Sequence, residues 1–329
     1  MTYLLAADIG GTKTLCQLAD EHGRIRLQQR FPSQEFESFE LLLNAFLSLP
    51  EAQGVHISSA CIAVAGPVDG DSGRVTKLPW QLNARTLAEQ FQIEKVQLCN
   101  DFEAVGHGIA ALEPGDLDVL QQGEPNPAMP RAVIGAGTGL GQAILVPEND
   151  SWRVLPTEGG HVDFAPQTST QQLLLEQVQK RFGHVSYDRL VCGSGLETMY
   201  LFLRDYKQID ENPQLRLAML HGDPAAAISE YAVVHHDALS NQALDMFVSI
   251  YGAQAGNLAL SVMARGGIYL AGGIVGKNIA KFRESGFMEA FLAKGRMQDL
   301  MEKMPVYVVL EPEVGLKGAH LLARKAMYN

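Results

Sequence analysis

No two cysteines in the chain are spaced C-x-x-C. The four, Cys16, Cys61, Cys99 and Cys192, stand far apart, which excludes a zinc knuckle and a disulfide framework. Three of them sit in apolar, strand-like runs, where a free thiol serves as a small hydrophobe. Basic runs are missing too. Lys and Arg number 26 against 37 Asp and Glu, a formal charge of −11, and an acidic chain without a basic stripe is a poor nucleic-acid binder. No apolar run approaches the ~20 residues of a membrane span. The opening YLLAAD reads as a strand and shows no signal-peptide pattern. A cytoplasmic protein with neither a nucleic-acid nor a membrane partner is expected. What is present is an ordinary 47% of hydrophobic residues in 329, enough for a sizeable core and about two domains.

The first third alternates strand-like and helical stretches. YLLAAD, TLCQLAD and RIRLQQRF read as strands, and SFELLLNAFLSL as a helix with apolar residues at helical spacing. ISSACIAVAG follows as a strand, PVDGDSG as a turn, ARTLAEQF as a helix and KVQLC as a strand. A second copy of this pattern starts near Arg131 with RAVIGAG and GQAILVP across a glycine turn, then SWRVLP. After a long helical insertion it resumes with GGIYLAGG and PVYVVL, and the helix LKGAHLLARKAM closes the chain. Within the insertion, Ser194 and Glu197 have capping-box spacing, and Asp223-Pro224 places a cap before a proline suited to the first helical turn. The segment GEPNPAMP (123–130) reads as the connection between the halves.

Each half carries a strand–glycine turn–strand unit. In ADIGGTKT (7–14), successive backbone N–H groups can form a nest for phosphate oxygens, and glycine also serves a plain turn. Asp8, at the strand end, suits the water shell of Mg²⁺. The second turn, GAGTGLG (135–141), is not G-x-G-x-x-G, because Leu140 stands where the third glycine belongs. Neither turn fits G-x-x-x-x-G-K-[ST]. A dinucleotide-binding dehydrogenase and a P-loop ATPase are thereby disfavoured, while two such turns suit a nucleotide gripped by two domains. YLAGGIVGKN (269–278) is a third glycine-rich piece after an apolar strand.

The polar candidates lie in two places. In LCNDFEAVGHG (98–108), Asn100 and Asp101 stand side by side where a strand meets a helix. A helix cap explains them, and so does a carboxylate aimed out of the end of a sheet, where open α/β folds bind ligands. PTEGGHVDFAP (156–166) carries Glu158, His161 and Asp163 around two glycines, a set suited to hydrogen bonding a polyhydroxyl ligand. His235, His236 and Asp237 are taken as surface residues.

In this order, DIGGTKT, NDFEAVGHG, GAGTGLG, EGGHVDFAP and LAGGIV resemble the bacterial glucokinase family of hexokinase-type kinases, over essentially the whole chain. The resemblance implies an α/β, two-domain actin-like (ribonuclease H-like, hexokinase-type) fold with a cleft between domains. The expected domains are 1–111 plus 312–329, and 112–311 with the helical insertion. It implies ATP-dependent phosphorylation of glucose on its 6-hydroxyl with Mg²⁺. The phosphate loops would be Ala7, Asp8, Ile9, Gly10, Gly11 and Thr12, and the turn at Gly137, Thr138 and Gly139. Adenosine would lie against Gly272 and Gly273. Asn100, Asp101, Glu158 and His161 become sugar contacts, with Asp101 the general base. One departure stands out: the family usually has Glu in the segment SYDRLVCGSG, where this chain supplies Asp188 as the fifth sugar contact. The cysteine-rich zinc segment of ROK kinases is missing after His161, since no cysteine follows until Cys192. A homodimer is expected. The rival readings are a kinase for another hexose, such as mannose or an amino sugar, and a non-catalytic sugar sensor.

Overall fold

The computed structural model describes residues 2–149 and 151–328. The chain divides into two compact units: Met1–Glu113, Trp152–Pro156 and Glu313–Asn329 form unit 1, and Pro114–Ser151 and Thr157–Pro312 form unit 2.

In unit 1, β1 (Thr2–Ile9), β2 (Lys13–Ala19) and β3 (Ile25–Pro32) form an antiparallel meander. β4 (His56–Val64) follows the helix α1 (Phe39–Leu47), whose N-cap Ser38 accepts from Leu41 N–H. PVDGDSG is more than a turn: it supplies β5 (Val68–Asp69) and the start of β6 (Ser72–Arg74), and β6 pairs with both β5 and β7 (Gln81–Asn83) in a small separate sheet. These strands are too short to show a period. Helix α2 (Ala84–Phe91), strand β8 (Lys95–Asn100) and helix α3 (Asp101–Ile109) complete the N-terminal part. The main sheet runs β3-β2-β1-β4-β8, with β1, β4 and β8 parallel.

Strand alternation decides what each face buries. Leu5, Ala7 and Ile9 join Ile62 and Val64 against Phe39, Leu42 and Phe46 of α1. Leu4, Ala6, Cys61 and Ala63 face the C-terminal helix (Val314–Tyr328) through Leu316, Ala319 and Ala323. That helix lies close on α3. A Cβ added at Gly318 would stand 1.7 Å from the Ala104 carbonyl oxygen, and one at Gly108 would stand 2.0 Å from that of Val314.

In unit 2 the strand order is β11-β10-β13-β14-β9, from β9 (Leu117–Gln121), β10 (Arg131–Ala136), β11 (Leu140–Glu148), β13 (Gly267–Ala271) and β14 (Val306–Val309); β12 is Ser151–Thr157. β10, β13 and β14 are parallel, and β11 and β9 are antiparallel to their neighbours. The β1–turn–β2 hairpin flanked by parallel β4 and β8 is therefore repeated as β10–turn–β11 flanked by β13 and β14. GEPNPAMP lies within unit 2 and joins β9 to β10, so it is not the connection between halves. Prolines marked a loop there without saying which elements it joins.

The helical insertion is punctuated as expected at Asp223, which caps Pro224–Val233 by accepting from Ala225 and Ala226 N–H. It is not at Ser194. The helix Gly193–Lys207 begins two residues earlier than a Ser194 cap would place it, with Cys192 at the N-cap and no side-chain cap bond. The longest helix, Ala238–Val262, starts at Asp237, which accepts from Ser240 N–H. Among the described residues no helix is long and apolar enough to cross a membrane.

Candidate active site

Three parallel strands of unit 1 end together. Ile9 is in register with Val64, and Val64 with Asn100, so the first glycine turn, Gly66 and the Asn100-Asp101 pair line one edge of the sheet. Ligands of open α/β sheets bind at that carboxyl edge. The glycine turn is held in shape by Gly10 N–H on Lys13 O at 2.9 Å and by the hydroxyl of buried Ser33, which donates to Gly10 O at 2.8 Å. Thr14 lies 2.9 Å from that hydroxyl. Nothing local in the sequence points to Ser33, since it meets Gly10 across 23 positions. Gly11 has no room for a side chain: a Cβ would come within 2.9 Å of Lys77 Cβ. Ala7 and Ile9 are buried in the core, leaving only their backbones to a ligand, while Thr12 is exposed.

At the end of β8 the cap belongs to Asn100, not to Asp101. Asn100 Oδ1 accepts from Phe102 N–H at 2.9 Å and from Glu103 N–H at 3.4 Å, and its amide donates to Gly66 O at 3.1 Å. Asp101 is the first residue inside α3, half-buried, with Oδ1 3.0 Å from Phe102 N. The cap, which the sequence left open between the two residues, is made by Asn100.

Unit 2 gathers the remaining candidates. Its turn places Gly137 and Thr138 in the open, closed by Gly137 N–H on Gly139 O at 2.9 Å. Gly272, at φ +93°, follows β13 directly beside it: a Cβ there would stand 2.5 Å from Ala136 O, so only glycine fits. The second and third glycine pieces are therefore neighbours. Glu158 and His161 are both exposed on one short helical turn, with His161 N–H on Glu158 O and the side chains 3.8 Å apart. Gly160 packs where a Cβ would be 2.0 Å from Leu140 O, at the start of β11. Asp188 is brought to the same place: its Oδ1 accepts from Leu140 N–H at 2.7 Å. Asp163 instead pairs with exposed His184 at 2.7 Å.

Two amides missed at the level of sequence, buried Gln254 and half-buried Asn257, stand behind this loop. Gln254 donates to Gly159 O at 3.4 Å, and Asn257, three residues on along the same helix, donates to the Tyr187 hydroxyl at 3.2 Å. Polar residues inside an otherwise apolar helix face were the available signal.

The family model described as Glucokinase matches residues 5–326 of the chain. The chain belongs to the glucokinase family. A glucokinase of Nostoc punctiforme is 40% identical over 347 residues, spanning 99% of this chain and 100% of the relative. The solved glucokinase of an Antarctic psychrotroph superposes with a TM-score of 0.80 at 30% identity, over 98% of this chain and 99% of that one. A Balamuthia mandrillaris glucokinase, solved in complex with glucose, also reaches 0.80, over 98% and 94% of the two chains; at 22% identity that likeness is one of fold. The fold is thus the two-domain α/β, hexokinase-type fold, and the chain lies in the branch of glucokinases outside the ROK kinases.

In this glucokinase fold Asp8 is the acidic group beside the first turn. It is half-buried, and Gly315 of the C-terminal helix leaves it space: a Cβ there would be 3.3 Å from Asp8 Oδ2. Burial pushes its pKa up from 3.8 to about 6; Lys13 opposes the rise and Glu313 adds to it. Among the described residues no group of three His, Cys, Asp or Glu could cage a metal ion. A single carboxylate suits a hydrated Mg²⁺ carried by phosphates, because Mg²⁺ keeps several of its waters.

The raised pKa makes a stability prediction. A carboxyl whose folded pKa exceeds its unfolded one favours folding when protonated, so stability falls as pH rises from 3.8 to about 6. Above that, the ionised group costs up to about 3 kcal/mol. Asp8→Asn, unfolded without metal or nucleotide, should therefore be more stable than wild type at pH 8 and lose that advantage by pH 4. Denaturant midpoints at the two pH values check this. A variant equally or less stable at pH 8 contradicts it.

Proposed function

We propose that the chain transfers the γ-phosphoryl group of ATP to the 6-hydroxyl of D-glucose, giving glucose 6-phosphate and ADP, with Asp101 as the general base. ATP-dependent phosphorylation of glucose is the activity of the glucokinase family, to which the chain belongs. The observation that supports Asp101 is its place as the first residue of α3, at the carboxyl edge of the sheet, beside an Asn100 that caps the helix by accepting from Phe102 and Glu103 N–H.

Phosphoryl transfer asks for positioning and charge stabilisation rather than covalent chemistry. Asn100, Glu158, His161 and Asp188 hold sugar hydroxyls. Asp101 orients the 6-hydroxyl and takes its proton as the oxygen attacks the γ-phosphorus and the bond to ADP breaks. The backbone N–H groups of Gly10–Thr12 and Gly137–Gly139 receive phosphate oxygens, and the backbone at Gly272 and Gly273 lies against adenosine. Mg²⁺ bound with ATP supplies charge neutralisation on the phosphates, and Asp8 would hold its water shell. Following the family resemblance, the reading includes a cytoplasmic location and a homodimer.

A coupled ADP-release assay over a panel of hexoses tests this reading. ADP release should require both Mg²⁺ and a hexose, with glucose the preferred acceptor. Equal release with and without sugar would point to a plain ATPase, and preference for mannose or an amino sugar would move the substrate.

A further inference from the structure

The segment Val185–Gly193 is fastened on two sides. Toward the loop that carries Glu158 and His161, Phe164 N–H donates to Val185 O at 2.9 Å and Tyr187 N–H to Val162 O at 3.2 Å. Toward the glycine turn, Leu140 N–H donates to Asp188 Oδ1 at 2.7 Å and Gly193 N–H to Gly137 O at 3.0 Å. The segment is itself firmly seated. Tyr187 is buried, edge-on to Phe164 with ring centroids 5.5 Å apart, and its hydroxyl receives Asn257. Gly139 completes the fit, because a Cβ there would stand 2.7 Å from the bonded Asp188 oxygen.

We propose that Asp188 is a positioning residue for the phosphate-binding turn as well as a sugar contact. One carboxylate oxygen fixes the Gly137–Gly139 turn through Leu140 N–H, and the second is left for a sugar hydroxyl. Sugar and nucleotide then bind to two sides of one clasp, and each tightens the other by the same factor, as linkage requires. The inference rests on the reading of the Gly137–Gly139 turn as a phosphate site.

Calorimetry of the full chain with the non-hydrolysable nucleotide AMPPNP and Mg²⁺, first without sugar, tests it. Asp188→Ala removes the acceptor and should weaken AMPPNP binding by about 10–100-fold, the range for a lost charge-assisted bond. Asp188→Asn keeps an oxygen acceptor for Leu140 N–H and should stay within about threefold of wild type. Glucose binding should weaken in both. The factor by which glucose tightens AMPPNP should fall toward one in the Ala variant. AMPPNP bound equally well by wild type and Asp188→Ala overturns the proposal and leaves Asp188 a sugar contact alone. Equal losses in Ala and Asn overturn it as well, since charge rather than the bond to Leu140 would be responsible. If the Ala variant does not fold, hydrogen exchange on wild type decides: glucose alone should slow exchange in a peptide covering 137–142, and unchanged exchange with glucose bound contradicts the clasp. Failure of wild type to bind AMPPNP at all would instead sink the phosphate reading of the turn.

Discussion

Asp101→Asn should lower kcat by about 10²–10⁴-fold, the usual effect of losing a general base. At 1.36 kcal/mol per decade this is roughly 2.7–5.4 kcal/mol of barrier. Asn keeps the size of the side chain and an oxygen acceptor, so the variant changes chiefly the basicity at this position. The N-terminus of α3 is closed by Asn100, whose Oδ1 accepts from both Phe102 and Glu103 N–H, so the helix keeps its cap. The new amide oxygen can still receive Phe102 N–H, as Asp101 Oδ1 does at 3.0 Å. Thermal unfolding should stay near wild type, and glucose binding should change far less than turnover, since one charge-assisted bond becomes a neutral one. Turnover within about tenfold of wild type, below the range for base removal, would mean that Asp101 is not the base.

Gly318→Ala should be the most damaging single methyl group in unit 1. The added Cβ would lie 1.7 Å from the Ala104 carbonyl oxygen, 2.6 Å from its carbon and 2.8 Å from Gly108 N, all of them main-chain atoms that cannot rotate away. The C-terminal helix and α3 would have to separate, exposing Leu316 and Ala319 from the core they share with Ala104. Overpacking usually costs ~1–3 kcal/mol, and contact with rigid backbone places this case at or above the upper end. Because α3 opens with Asp101, any variant that still folds should also show a reduced kcat. Denaturant unfolding and steady-state kinetics together check this. Wild-type stability would show that the two helices pack more loosely than described.

How far the sequence could be read depended on the distance over which each signal acts. Short-range signals carried well. Short apolar runs marked β1, β4 and β10, and Asp223 before Pro224 marked a helix start. The glycine-turn motifs were legible because a strand, two or more glycines and a second strand are contiguous in the chain. Ambiguity arose where one residue type serves two ends. Asn and Asp both cap helices, so the cap is assigned to Asn100 only by the Phe102 and Glu103 N–H bonds that its side chain accepts. Ser194 and Glu197 had the right spacing, yet the turn at Cys192 started the helix sooner. Strands of two or three residues, such as β5 and β6, show no period at all. Beyond reach were contacts made across long stretches of chain, including Ser33 on Gly10, Gln254 behind Gly159 and Asp188 on Leu140 N–H. No local pattern encodes them.

The placement of residues 313–329 in unit 1 sets an order of assembly during synthesis. Leu4, Ala6, Cys61 and Ala63 are made early, but the helix that buries them is translated some two hundred residues after Glu113. At roughly 5–20 residues per second, that face of the nascent sheet waits on the order of 10–40 s for its cover. Most of unit 2 is made in that interval, and its strands β9, β10, β11, β13 and β14 are complete before the last helix emerges. Ser59, whose hydroxyl finds its acceptor only at Ala323 O, is among the last buried groups to be satisfied. A nascent chain stalled before residue 313 should therefore hold a protease-resistant unit 2 beside a first unit whose apolar sheet face is still open to chaperones.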